Sequence, residues 1–269
     1  MDWLWKALLT AGSVLMVMAI ARRGGRRTAG MVAALPTVTA PTLAWLAHDR
    51  GNAFAAEAAI ASVAACAMLA AFAVVHARVA RHRGVVTTLS CGIVSAAMFA
   101  VPVALASSGL LAAIALAVFS CLLALLCLPV PPRHALLPVR TPLIATAIAA
   151  VGLCMLTVAG APLLGSFASG LLASLPLISG AVAATEHASS GHVGVAHFLR
   201  GYVAGLLARA SFCASFALLV VPLGWETASL VAALCSTGVA LVTGILTRFR
   251  ACRHFPVADR MLASRAPHA

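Results

Sequence analysis

The chain alternates between long runs of Ala, Leu, Val and Gly and short knots of Arg, His and Pro. Apolar runs fall at about 3–21, 28–47, 53–77, 85–106, 109–130, 142–159, 162–185, 193–222 and 226–247. A helix rises about 1.5 Å per residue, so each run is long enough to cross roughly 30 Å of hydrocarbon. The pattern predicts an all-α polytopic membrane protein with about nine transmembrane helices.

Two of these stretches share a register. The segment from Gly25 to Gly51, GRRTAGMVAALPTVTAPTLAWLAHDRG, aligns without gaps on Gly165 to Gly191, GSFASGLLASLPLISGAVAATEHASSG, at an offset of 140 residues. Gly25, Gly30, Leu35, Pro36 and Gly51 fall on Gly165, Gly170, Leu175, Pro176 and Gly191, with Val38 beside Ile178 and Thr39 beside Ser179. The same offset places runs 1, 3 and 4 on runs 6, 8 and 9 and leaves run 5 unmatched. Four spans plus one linker span make an odd number, so the second copy is expected to enter the bilayer from the opposite side. Inverted repeats of this kind recur in secondary transporters, with the substrate site between the repeats on interrupted helices. The expected organisation is a first membrane repeat at 1–108, a linker helix and cytoplasmic loop at 109–140, a second, inverted repeat at 141–247, and a basic tail at 248–269.

Each copy carries a Leu-Pro break in mid-run. Proline removes a backbone donor and disfavours helix in the residue before it. Irregular backbone at membrane depth is tolerated only where protein buries it or where it lines a wet cavity. The breaks, Leu35-Pro36-Thr37-Val38-Thr39-Ala40-Pro41 and Ser174-Leu175-Pro176-Leu177-Ile178-Ser179-Gly180, are therefore candidates for a substrate site.

Composition removes the soluble alternatives. At 63% hydrophobic and 9% charged residues, with a mean hydropathy of +1.07, the chain holds more apolar surface than a water-facing domain can cover. The net charge of +12 is spread singly or in small clusters between the runs. It points to lipid headgroups rather than nucleic acid. The cysteines form no CxxC pair and lie almost wholly inside apolar runs, so they read as small packing residues. Ala19-Ile20-Ala21 mimics a signal-peptidase site, but only Lys6 precedes the first run while four Arg follow it, so a retained first span is expected.

The positive charges also orient the chain, because cytoplasmic loops hold the excess of Lys and Arg. One side collects Arg22, Arg23, Arg26, Arg27, Arg78, Arg81, Arg83, Arg133, Arg140, Arg248, Arg250, Arg253, Arg260 and Arg265; the other has only Lys6 and Arg50. This predicts nine crossings with the N-terminus outside and the C-terminus in the cytoplasm.

Few groups could carry chemistry. Arg209 lies near the middle of run 8, where a charge is most costly, with Tyr202 and Gly205 on the same helical face. Substrate contact is assigned to Pro36, Thr37, Thr39, Ser174, Pro176, Ser179, Tyr202 and Arg209. Arg209 has an alternative role as a donor to carbonyls freed by the breaks. Glu57, Glu186 and His197 are candidates for gating or proton coupling, and Glu57 and His197 occupy equivalent positions in the two copies. They can also be read as interfacial residues bonded to nearby backbone. Glu186, His187, His192 and His197 do not share a helical face and predict no metal site. GxSxG, HExxH and phosphate-loop motifs do not occur, so neither catalysis nor a cofactor is expected.

The AG-x5-P core, Ala29-Gly30 with Pro36, is followed by small and hydroxyl residues and then an apolar helix. It resembles the short four-span GlpM-type inner-membrane proteins over about 30 residues of each copy. The resemblance implies a fused, inverted duplication of such a unit in a bacterial inner membrane. The leading expectation is a transporter of a small anionic or amphiphilic solute by alternating access, with the bilayer and a small-molecule or lipid substrate as partners and the oligomeric state open. Its rivals are a lipid or isoprenoid-phosphate flippase, a non-transporting envelope scaffold, and an intramembrane enzyme in which Glu57, Glu186 or His197 would converge.

Overall fold

The computed structural model describes residues 25–106, 109–130 and 143–253, with Leu4, Leu8, Ala11, Gly12 and Leu15 as isolated positions. The run at 3–21, the loop bearing Arg133 and Arg140 and the tail beyond Arg253 lie outside the described residues. Every regular element among the described residues is helical: α1 (Gly25–Ala34), α2 (Thr39–Arg50), α3 (Asn52–Val79), α4 (Val85–Ala106), α5 (Leu110–Cys127), α6 (Leu143–Leu172), α7 (Leu177–Leu223) and α8 (Trp225–Arg253).

Among the described residues seven helical stretches are long and apolar enough to cross a membrane, and the architecture fits a multi-pass helical membrane protein. The expected nine differ from these seven in two ways. Run 3–21 is outside the described residues, and run 162–185 is divided at its break between the two long stretches Leu143–Leu172 and Leu177–Leu223. The division placed at 160–161 is also corrected. The backbone stays helical through Gly160 and Pro162 and turns out of helix at Gly165, with φ 77°. Similarly, α7 is two helices meeting at Gly191, with φ 62°. Straight, its 47 residues would extend about 70 Å, more than twice the hydrocarbon thickness. Gly51, with φ 91°, makes the equivalent turn between α2 and α3. A side chain at either position would meet the left-handed penalty that glycine escapes.

Burial is inverted relative to a soluble protein. The central α3 buries Ala, Ser, Cys, Met and Phe side chains along most of its length. The peripheral α4, α5 and α8 turn large apolar groups such as Met98, Leu105, Leu126 and Leu234 outward. With lipid as the outer solvent such a face costs nothing, and helices associate through small residues and close packing instead.

The close approaches pair short segments with distant helices. A Cβ on Gly30 would overlap the Phe198 carbonyl, and a Cβ on Gly170 would overlap the Ala58 carbonyl. Arg27 packs on Gly201 and Met31 on Gly205, so α1 runs in the same direction as 192–223. Ser166 bonds Glu57 and Gly170 accepts from Ser62 at 3.0 Å, so 166–172 runs in the same direction as α3. Where the two long helices meet, Cys66 Sγ lies 3.7 Å from the Leu206 carbonyl.

Candidate functional site

The two helix breaks face one another across a cleft. Between α1 and α2 the chain leaves helical geometry at 35–38, and between α6 and α7 it does so at 173–176. Local bonds bridge each gap: Leu35 N donates to Val32 O at 3.1 Å, and Leu175 N to Leu172 O at 3.1 Å. Each proline then opens the next helix as an acceptor, Pro36 O from Ala40 N at 2.7 Å and Pro176 O from Gly180 N at 2.8 Å. Proline suits this position because its missing N–H falls where a helix start leaves donors unpaired.

The cleft is narrow, with a cavity volume of about 30 Å³, and it is open at its mouth. Leu35, Thr37 and Val38 come from the first break, Ala173, Leu175 and Ser179 from the second, and Leu153, Tyr202 and Arg209 complete the wall. Ser179 Oγ donates to the Tyr202 hydroxyl at 3.1 Å, and both residues are buried. Arg209 is 8% exposed. Its Nη2 donates to Ser174 Oγ at 2.8 Å, and Ser174 in turn donates to the Gly170 carbonyl at 2.8 Å. The Arg209 Nε has no hydrogen-bond partner. Among the described residues the ion pairs are Arg26–Glu186 and His48–Asp49, so no carboxylate neutralises Arg209. Thr39, in the first turn of α2, is fully buried with an unpartnered Oγ1.

The other candidate groups do not join this cleft. Glu57 is exposed and accepts from Ser166 Oγ. His197 is half-buried near the start of 192–223. Glu186 is buried and ion-paired: Arg26 Nε donates to its Oε2 while Arg26 Nη2 donates to Ser190 Oγ. This contact ties α1 to 177–190 and was not legible in the sequence, where Arg26 reads as one of a cluster of loop charges. Nearby, His76 is fully buried with neither ring nitrogen bonded, its ring 6.5 Å from that of His187. Arg200, about two and a half turns before Arg209 on the same helix, donates to the Leu125 and Leu128 carbonyls at 3.3 and 2.8 Å, capping the end of α5. Among the described residues no three His, Cys, Asp or Glu side chains converge as a metal site.

No family model, curated protein or solved structure matches this chain. Its class therefore rests on architecture, that of an all-helical, multi-pass membrane protein.

Proposed function

We propose that this chain is a small inner-membrane transporter, built as a fused inverted duplication, that carries an anionic or amphiphilic solute by alternating access. The observation that carries the reading is the cleft between the two Pro breaks, with the buried and uncompensated Arg209 in its wall. A guanidinium stays charged at any physiological pH, so in a water-poor site it needs an anionic partner. A ligand can supply the charge that the protein does not.

The packing supports the duplication. Gly30 on Phe198 and Gly170 on Ala58 are the same contact with the copies exchanged, because 170 is 30 plus 140 and 198 is 58 plus 140. Cys66 meets Leu206, its own equivalent, as a residue on a two-fold axis must. The paired directions of the helices fit a second copy inverted relative to the first. In the nine-crossing topology, Arg26 and Glu186 lie on the cytoplasmic side of the cleft. Nine residues of helix, about 13 Å, separate Arg26 from the break. The pair joins the two copies and serves as a latch on that side. At the opposite side the equivalent residue is Ser166, whose bond to exposed Glu57 makes a weaker closure.

The cleft weighs against a scaffold, whose breaks would pack without a cavity. Glu57 is engaged by Ser166 and Glu186 by Arg26, and these separate partners weigh against an intramembrane enzyme built on the two carboxylates. The test is anion uptake into proteoliposomes by wild type, Arg209→Lys and Arg209→Ala, beside membrane abundance. Arg209→Ala should abolish uptake at unchanged abundance, and Arg209→Lys should weaken it, because a point ammonium cannot reproduce the bidentate fork. Full activity in Arg209→Ala would refute the site, and loss of protein in both variants would assign Arg209 a structural role.

A further inference from the structure

Resting on that reading of the cleft, we infer that its ligand is a small monovalent organic anion with a short aliphatic body, a short-chain monocarboxylate, held head-first on Arg209. The charge count comes first. The cleft holds one cation, since Arg26 is committed to Glu186 and Arg200 to the end of α5. A monoanion neutralises that charge, whereas a dianion would leave a net negative charge buried without a partner, which low-dielectric surroundings penalise heavily.

The donors fit a planar two-oxygen head. Of the Arg209 donors, Nη2 serves Ser174 and Nε serves nothing. Nε is closed to water, so the amino groups of the guanidinium are what can present two parallel bonds to a carboxylate. The Tyr202 oxygen accepts from Ser179, so its own O–H proton remains free to donate. Apart from Thr37 the remaining wall is aliphatic: Leu35, Val38, Leu153 and Leu175 offer a phosphate or sulfate nothing for the water it gives up, but they reward methylene groups. Each methylene buried there should tighten binding about fourfold, the equivalent of ~0.8 kcal/mol.

The experiment measures thermal stabilisation and calorimetric binding of the full chain in lipid nanodiscs. The probes are acetate, propionate, butyrate, octanoate and a long-chain fatty acid, with succinate and inorganic phosphate as dianion controls at about pH 8.5, where phosphate has lost its second proton. Affinity should climb about fourfold per methylene from acetate to butyrate and stop climbing at octanoate. Succinate and phosphate should bind at least about tenfold more weakly than butyrate, because one Arg cannot neutralise two charges. Arg209→Gln should bind none of them, and Tyr202→Phe should weaken butyrate several-fold with the fold retained at a modestly lower melting temperature, since Ser179 loses its acceptor. If Arg209→Gln fails to fold, Tyr202→Phe and Arg209→Lys carry the test. Tighter binding of succinate or phosphate overturns the monocarboxylate class while leaving the anion site standing. Affinity still rising at octanoate and beyond also overturns the small-anion class and favours a lipid amphiphile. Binding that is absent in wild type, or unchanged in the Arg209 variants, overturns the site itself.

Discussion

Gly30→Ala and Gly170→Ala offer a direct test of how the bundle is held. In an exposed helix, alanine is favoured over glycine by about 1 kcal/mol. At these two positions the gain meets a backbone carbonyl from another helix. The new Cβ at Gly30 would also lie 2.9 Å from Tyr202 N, and the one at Gly170 would lie 2.9 Å from the Ala61 Cβ. Neither obstacle is the end of a flexible side chain, so the helices themselves must separate. Overpacking of that kind costs roughly 1–3 kcal/mol, occasionally more, and the parting also loosens weak Cα–H contacts to carbonyls worth about 0.5–1 kcal/mol each. After the propensity gain, each substitution should destabilise by about 1–3 kcal/mol. Gly238→Ala, with nothing within 4 Å of the new methyl, should stabilise slightly. SDS titration and thermal melting of purified variants read both the magnitude and the sign. Gly30→Ala and Gly170→Ala that behave like Gly238→Ala would refute the packing. Costs differing by more than about 2 kcal/mol between the two would count against the exchange of copies.

Glu186→Gln should cost about 3–5 kcal/mol by leaving Arg26 buried and unpaired, while Arg26→Met with Glu186→Met should recover most of that loss; a double-mutant cycle by SDS titration measures it, and additive costs would refute a coupled pair. Gly51→Ala and Gly191→Ala should each cost roughly 1–2 kcal/mol from the left-handed backbone conformation, read as a lowered melting temperature. Cysteine-accessibility labelling on a Cys-free background should place Arg81 and the C-terminus in the cytoplasm and Trp225 outside, and a periplasmic C-terminus would refute nine crossings.

What was legible in the sequence is what local backbone chemistry governs. The interruptions beside Pro36 and Pro176 follow from missing donors, and apolar run length marks most of the helices because hydrocarbon thickness sets one scale for all of them. Arg209 stood out because a charge in mid-run has no local excuse. The division at Gly165 was misplaced by five residues because proline and glycine do not always end a membrane helix: Gly160 and Pro162 stay inside α6. The Arg26–Glu186 pair was hidden for a different reason. Arg26 alone reads as a loop charge and Glu186 as a gating candidate, and only packing between segments 160 residues apart makes them a buried pair. The faces of α1 and 192–223 that meet at Gly30 are shape information, which apolar patterning does not carry.

The seating of α1 has a consequence for biosynthesis. Its seat, 192–223, and the counter-ion of Arg26 are made about 160 residues after it. At about 5–20 residues per second, a ribosome leaves α1 in the membrane for roughly 10–30 s before either exists. During that interval the nascent first half holds Gly30 without the backbone it packs on and a cation without its counter-charge. Contacts so distant in the chain also form late on their own account. A chain released before residue 186 lacks both the seat of α1 and the counter-charge of Arg26, so the first half cannot reach its native packing alone.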